Sequence, residues 1–115
     1  MSVIIVLPDG TDWFKANWVF RQLAHDVSDR YNSDTEVCDA IEAAQALGAL
    51  DLKAMNEGIR RRLMEALLDV AMDTVEGIIA GWRPDDPKEH ALYCEAVSEL
   101  AKSLAGQNNI GTSSA

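Results

Sequence analysis

The sequence predicts a mainly all-α fold, a four- to five-helix bundle that carries one short β-strand at its N-terminus. Three observations support this fold class. Most of the chain repeats apolar residues every three or four positions, which is the period of an amphipathic helix. Residues typical of helix ends separate these repeats, and residues 3–7 form the one clear strand-like run. The 115 residues suit one domain, predicted at 1–106, with 107–115 as a flexible C-terminal tail.

The chain opens with an apolar, β-branched segment, Val3 to Leu7, that has the composition of a strand. The turn-forming sequence "PDG" follows it. Because no second strand is predicted downstream, both edges of this strand would lack hydrogen-bond partners within the chain. We therefore expect it to pair between chains, with a homodimer favoured over addition to a partner's sheet. The pairing residues would be Val3, Ile4, Ile5 and Val6.

The first helix is predicted from Trp13 to about Tyr31, with Thr11 or Asp12 as its cap. Besides its buried face, this helix would carry a second stripe of aromatic and basic side chains, which we call the aromatic strip. Its members are Phe14, Trp18, Arg21 and His25. Trp, Phe and Arg are enriched at the centres of protein interfaces, so the strip is a candidate partner-binding surface. The alternative is that its rings pack beneath the strand or another helix.

Two further helices are recognised from their ends. The sequence "SDTE", beginning at Ser33, matches a capping box, and Gly48 suits the position just past a helix end. In "RPDDPKEH", Asp86 can cap a helix whose first position is Pro87. Gly106 is predicted to end this last helix.

The segment between these two helices is predicted to contain a short helix at 52–56, a break near Gly58, and a long helix from about Glu57 to Gly81. The long helix carries a row of carboxylates at spacings of four, four and three residues, which places them on one face. The row consists of Glu65, Asp69, Asp73 and Glu76. It is predicted to dock a basic partner, and the alternatives are a solvated edge, neutralisation by Arg21 or Arg30, or a divalent-metal site.

Charge limits the classes of partner. Ten Lys and Arg residues stand against nineteen Asp and Glu residues, which gives a net charge of −9. Such a chain repels nucleic-acid phosphates and anionic membranes and attracts basic proteins. We therefore expect no direct nucleic-acid binding and no membrane association. No apolar run approaches the roughly 18 residues of a membrane span, and no leader pattern is seen, so a cytoplasmic location is predicted.

The sequence offers little for catalysis or metal binding. It contains no phosphate-binding loop, no dinucleotide fingerprint, no G-x-S-x-G and no H-E-x-x-H. His90 and Cys94 are four residues apart, and together with His25 and Cys38 they would supply the four ligands of a Cys2His2 zinc site. They lack the close spacing of zinc modules, however. We therefore predict no catalytic residues, no cofactor and no metal.

These observations predict a small acidic protein that binds another protein. Its charge and size are those of inhibitors such as immunity proteins, antitoxins and phage-encoded inhibitors. The target would be basic, for example a nuclease or a nucleic-acid-binding complex, and would meet the carboxylate row and the aromatic strip. The alternative is a self-associating structural or adaptor protein, a homodimer formed through the N-terminal strand, with no inhibitory role.

Overall fold

The N-terminal strand is the centre of a small sheet. The computed structural model describes residues 2–76 and 87–113, and within them β1 (Ser2–Val6) lies between β2 (Asp12–Ala16) and β3 (Ala49–Asp51). β1 pairs antiparallel with β2 and parallel with β3. The prediction of a helical bundle with a lone strand is therefore wrong, because the described residues form four helices and a three-stranded mixed sheet.

A tight hairpin places residues 12–16 in β2 rather than at the start of the predicted first helix. The Leu7 N–H donates to the Thr11 carbonyl at 2.8 Å, and the Gly10 N–H donates to the Leu7 carbonyl at 2.9 Å. Gly10 has a φ of +92°, the left-handed conformation that glycine adopts without steric cost. The Asp9 side chain accepts from the Thr11 N–H, which fixes the turn. The chain thus folds back on β1, and the first helix begins four residues later than predicted.

Pairing on both sides of β1 overturns the prediction of strand pairing between chains. The Ile4 N–H donates to the Gly48 carbonyl at 3.2 Å, and the Leu52 N–H donates to the Val6 carbonyl at 2.9 Å, so β3 occupies one edge. The other edge faces β2 in a register that matches Ile5 with Trp13. A second chain therefore finds no free edge on β1. The residues assigned to that role, Val3, Ile4, Ile5 and Val6, instead organise the sheet.

The four helices follow the strands in chain order, as α1 (Asn17–Arg30), α2 (Thr35–Leu47), α3 (Glu57–Val75) and α4 (Pro87–Ser113). None of the described helices is both long enough and apolar enough to cross a membrane. α1, α2 and α4 contact the strands and cover the face of the sheet that carries their buried side chains, and α3 packs against these three helices. Those side chains are Val3, Ile5, Trp13 and Leu50.

Helix ends agree with the sequence in part. The Asp34 side chain accepts from the Val37 N–H at 3.3 Å, so Asp34 rather than Ser33 caps α2. Gly48 ends α2 in the left-handed conformation, as predicted. The Asn56 side chain caps α3, and residues 52–55 form no helix.

The other helix ends concern the C-terminal half of the chain. α4 begins at Pro87, as predicted, but continues past Gly106 to Ser113, so the predicted boundary at Gly106 is not a helix end. A helical glycine is tolerated at a cost of about 1 kcal/mol when the surrounding residues favour the helix. α3 ends at Val75 with Glu76 as its C-cap, before the predicted end near Gly81; Gly81 itself and the predicted cap Asp86 lie outside the described residues.

Candidate protein-binding surfaces

The predicted carboxylate row lies on one side of α3. Leu63, Ala66, Leu67 and Val70 face the core, so the positions between them turn toward solvent. Three members of the row are exposed and Asp73 is half-buried. We call this surface the acidic face; it comprises Glu65, Asp69, Asp73 and Glu76.

Two of the four carboxylates have a cationic partner from α1. The Arg30 guanidinium lies 3.2 Å from Asp69 Oδ2 and also pairs with Asp73. The Tyr31 hydroxyl donates to Asp69 Oδ2 at 2.7 Å. Neutralisation by Arg30, one of the alternatives to docking, therefore applies to half of the row.

The hydrogen bond between Tyr31 and Asp69 changes the pKa values of both residues. Its hydrogen bond from Tyr31, aided by Arg30, lowers the pKa of the Asp69 carboxyl below 3.8. Burial and the same hydrogen bond raise the pKa of Tyr31 to about 12. Asp69 is thus held ionised at neutral pH and in a fixed orientation.

Replacing Tyr31 with phenylalanine should destabilise the protein in a pH-dependent way. Because the folded pKa of Asp69 is lowered, its contribution to stability is present above about pH 3.8 and is lost as the pH falls through the folded value. We expect the Tyr31→Phe variant to lose about 1 kcal/mol of unfolding free energy at pH 7, as for one hydrogen bond, and less below pH 4.

Urea unfolding between pH 3 and pH 7 measures this difference. The same substitution in an Asp69→Asn background is the control, because the ionisable partner is then absent. Tyr31→Phe should there show no pH-dependent loss. An equal loss at pH 3 and pH 7 in the parent background would contradict the assigned hydrogen bond.

The acidic face also has an apolar component that sequence patterning did not single out. Met72 and Val75 are 44% and 47% exposed, and both lie on α3 among the carboxylates. Neither Glu65 nor Glu76 has an ion-pair partner within the described part of the chain. The sequence carries one signal for this component, because the apolar residues Met72 and Val75 interrupt the row of carboxylates.

The predicted aromatic strip is divided between two elements, β2 and α1. Phe14 belongs to β2 rather than to the first helix, and it is 61% exposed. Trp18 lies on α1 and is half-buried, with its ring 6.3 Å from that of Tyr93 on α4. Arg21 and His25 lie farther along α1. The placement of all four residues on one helix is therefore wrong, because the first helix begins at Asn17 rather than at residue 13; partner binding by these residues stays a prediction.

Arg21 and His25 line a different feature, an open cleft of about 480 Å³ between α1 and α2. Cys38 and Glu42 form part of its opposite wall. The Cys38 thiol donates to the Tyr31 carbonyl at 3.3 Å, so it caps the end of α1 within the protein. The side chains that line the cleft have mixed charges, and their arrangement does not indicate a particular class of ligand.

Two open grooves border β2 and α4. One, of about 240 Å³, has a mainly apolar lining that includes Trp18, Val19, Leu92 and Ala96. The other, of about 550 Å³, follows the strand itself. Between them, the Lys15 ammonium pairs with the Glu99 carboxylate. Neither groove follows from the sequence prediction, because that prediction assigns the residues of β2 to a helix even though the sequence "LPDGT" is a known hairpin signal.

Metal binding receives no support from the described residues, among which no group of three or more His, Cys, Asp or Glu side chains could hold an ion. Neither Cys38 nor Cys94 forms a disulfide. The side chain of His90 lies outside what the structure describes. The four residues that could supply zinc ligands, His25, Cys38, His90 and Cys94, are therefore not all among the described side chains.

Comparison with known proteins adds no relative: no family model, curated protein or solved structure matches the chain. Neither these comparisons nor the motifs of the sequence indicate catalysis. The function is therefore inferred from the surfaces described above.

Proposed function

We propose that this chain is a small acidic protein-binding protein that docks a basic protein target, in the manner of immunity proteins, antitoxins and phage-encoded inhibitors. The observation that carries the proposal is the acidic face of α3. Its four carboxylates stand against one guanidinium, Arg30, so the surface carries a net charge of about −3.

The acidic face combines charge with fixed geometry. Arg30 and Tyr31 hold Asp69 in place, and Arg30 also holds Asp73. Side chains that are already ordered lose less conformational entropy when a partner binds. Glu65 and Glu76, which have no described ion-pair partner, remain available for Lys or Arg side chains of the target.

Exposed apolar side chains within the same face supply contact area. Met72 and Val75 lie on α3 near Asp69 and Asp73, and Glu76 follows directly after the helix. Methionine adapts its shape to different partners and is enriched at protein interfaces. A basic partner with an apolar patch between its cations would therefore be complementary to this surface.

The proposed class of target follows from the sign of the charge. Proteins that act on nucleic acids carry basic surfaces because they neutralise phosphates. An acidic face that occupies such a surface competes with the nucleic acid. A nuclease or a nucleic-acid-binding complex is therefore the class of target we propose.

Capture of partners on the immobilised full chain tests the proposal. The informative variant is Glu65→Gln with Glu76→Gln, because neither carboxylate has a described ion pair whose loss would disturb the fold. Asp39→Asn with Glu42→Gln on α2 is the matched control, since it removes the same charge from another helix. We expect a basic protein that is captured by the parent and the control and is lost from the acidic-face variant.

The kinetics of the captured pair give a second test. Exposed charges are screened beyond about 8 Å at physiological ionic strength, so the association rate constant should fall steeply as salt is added. Removing two of the charges should weaken that salt dependence, whereas the α2 control should lose less of it. A partner that is acidic, or that binds the acidic-face variant as tightly as the parent, would overturn the proposal.

A further inference from the structure

The backbone of β2 has one edge that pairs with nothing in the described chain. In a central strand, successive residues direct their N–H and C=O groups to opposite sides. Ile4 and Val6 bond toward β3, so Val3, Ile5 and Leu7 bond toward β2. Their partners across the hairpin are Lys15, Trp13 and Thr11.

The groups that point away from β1 therefore belong to the alternate residues of β2. These are Asp12, Phe14 and Ala16, and all three are exposed. No backbone hydrogen bond joins the N–H or C=O of Phe14 to another described segment. An open strand edge of this kind is a template for a further strand.

The charged residues that line the groove along this edge balance one another, whereas the chain as a whole has a net charge of −9. It is about 550 Å³ in volume and lies between β2 and α4. Its charged lining consists of two carboxylates, Asp12 and Glu99, and two ammonium groups, Lys15 and Lys102. A chain of net charge −9 can thus approach a copy of itself here without facing an acidic surface.

We propose that the outer edge of β2 pairs antiparallel with the same edge of a second copy of this chain, about a two-fold axis at Phe14. The two sheets then become one six-stranded sheet. In this register Phe14 lies opposite its own copy, Asp12 lies opposite Ala16, and Trp13 lies opposite Lys15. No like charges are opposed, as a self-complementary interface requires.

Phe14 gives this pairing an aromatic contact as well as hydrogen bonds. Its ring is 61% exposed on the face of the sheet opposite the helices, beside Ile4 in the register of β1. Two such rings meeting across the axis form a favourable cross-strand pair. An inward-facing lysine often keeps a strand edge from pairing. Here Lys15 is already matched by Glu99, so that protection is reduced.

The interface is small, since it involves one five-residue strand from each chain. Stable protein interfaces bury about 800 Å² on each partner, more than such a strand provides. The dimer should accordingly be weak. We expect the average mass to rise from one chain toward two between about 10 µM and 1 mM, a range of weak dissociation constants.

Sedimentation equilibrium of the full chain across that concentration range is the first measurement. At a fixed concentration, added salt should increase the dimer fraction, because it screens the repulsion between two chains of net charge −9. This is the opposite of the salt effect expected for the basic target, so the two proposals fail independently. A single-chain mass throughout, or a dimer that salt dissociates, would overturn the edge pairing.

Phe14→Pro tests the site. Proline removes the outward N–H and the ring but leaves the inward-facing groups of Trp13 and Lys15 in place. The dissociation constant of the dimer should rise at least about tenfold, so at concentrations well below that constant the dimer fraction should fall to about a tenth of the parent's or less. The acidic-face variant, Glu65→Gln with Glu76→Gln, should dimerise like the parent. A folded Phe14→Pro chain that still dimerises would refute the assignment.

Residue-level hydrogen exchange in the unmodified chain provides a readout that needs no substitution. The Phe14 amide should exchange several-fold more slowly at high than at low protein concentration. The Trp13 and Lys15 amides face β1 in both states, so their exchange rates should change less. Slowing of Phe14 only after the captured basic partner is added would assign this edge to that partner and overturn self-association.

Discussion

Replacing Trp13 with alanine is expected to lower the unfolding free energy by about 3–5 kcal/mol. Trp13 is buried on the helix-facing side of β2, and its indole N–H donates to the Ala96 carbonyl on α4 at 2.8 Å. The side chain thus joins the hairpin to the last helix through both packing and a hydrogen bond. Its removal leaves a cavity between β2 and α4, at a contact between two residues, Trp13 and Ala96, that are 83 positions apart in the chain.

Two companion variants separate the contributions of this side chain. Trp13→Phe keeps most of the ring and removes the indole donor, so it should cost about 1 kcal/mol plus the smaller loss of packing. Phe14→Ala is the neighbouring control, because Phe14 is 61% exposed and should change the stability of the single chain by less than about 1 kcal/mol. Denaturant unfolding of dilute protein measures all three.

Equal losses for Trp13→Ala and Phe14→Ala would contradict the strand assignment of residues 12–16. In a strand, adjacent residues face opposite sides, and one of the two must be far more buried than the other. In the helix predicted from the sequence, Trp13 and Phe14 would lie about 100° apart, on neighbouring faces. The ratio of the two losses therefore distinguishes the two conformations.

The helices could be predicted because their signals are local. The apolar periods of α1 and α2, the glycine after α2 and the proline at the start of α4 each depend on a few neighbouring residues. β2 could not be separated from α1 in this way. Trp13 and Ala16 have a helical spacing with Phe20, and the same five residues also suit a strand. They form a strand because they pair with β1.

The third strand shows the same limit more strongly. Ala49–Asp51 is three residues long, too short for any periodic pattern to appear in the sequence. It forms because Gly48 ends α2 in the left-handed conformation and directs the chain alongside β1. Long-range pairing, rather than local preference, thus determines both edges of the sheet.

The candidate sites also differ in whether local sequence signals or long-range contacts form them. The carboxylates of α3 share a face because helical spacing requires it, so sequence alone could group them. Their partners Arg30 and Tyr31 are 38 to 43 residues away, and only the packing of α1 against α3 brings them together. The free edge of β2 depends on the hairpin and could not be foreseen once residues 13–16 were assigned to a helix.

Replacing Ile5 with proline is expected to unfold the chain, whereas Phe14→Pro is expected to remain folded. Ile5 is fully buried in the central strand, and its N–H points toward β2 in the register with Trp13. Proline in the middle of a sheet removes a ladder hydrogen bond and strains the neighbouring backbone. Losing the buried isoleucine side chain adds about 2–5 kcal/mol. Together these costs approach the 5–15 kcal/mol that stabilise a typical domain.

Circular dichroism and the dispersion of amide proton resonances measure the outcome for both variants at low protein concentration, where the chain is expected to be single. Phe14→Pro should retain the parent spectrum and a cooperative unfolding transition, because the group it removes faces away from β1. Ile5→Pro should lose its dispersed resonances and its cooperative transition. If the two variants proved equally stable, β1 would not be the central strand, and the free edge assigned to β2 would lose its basis.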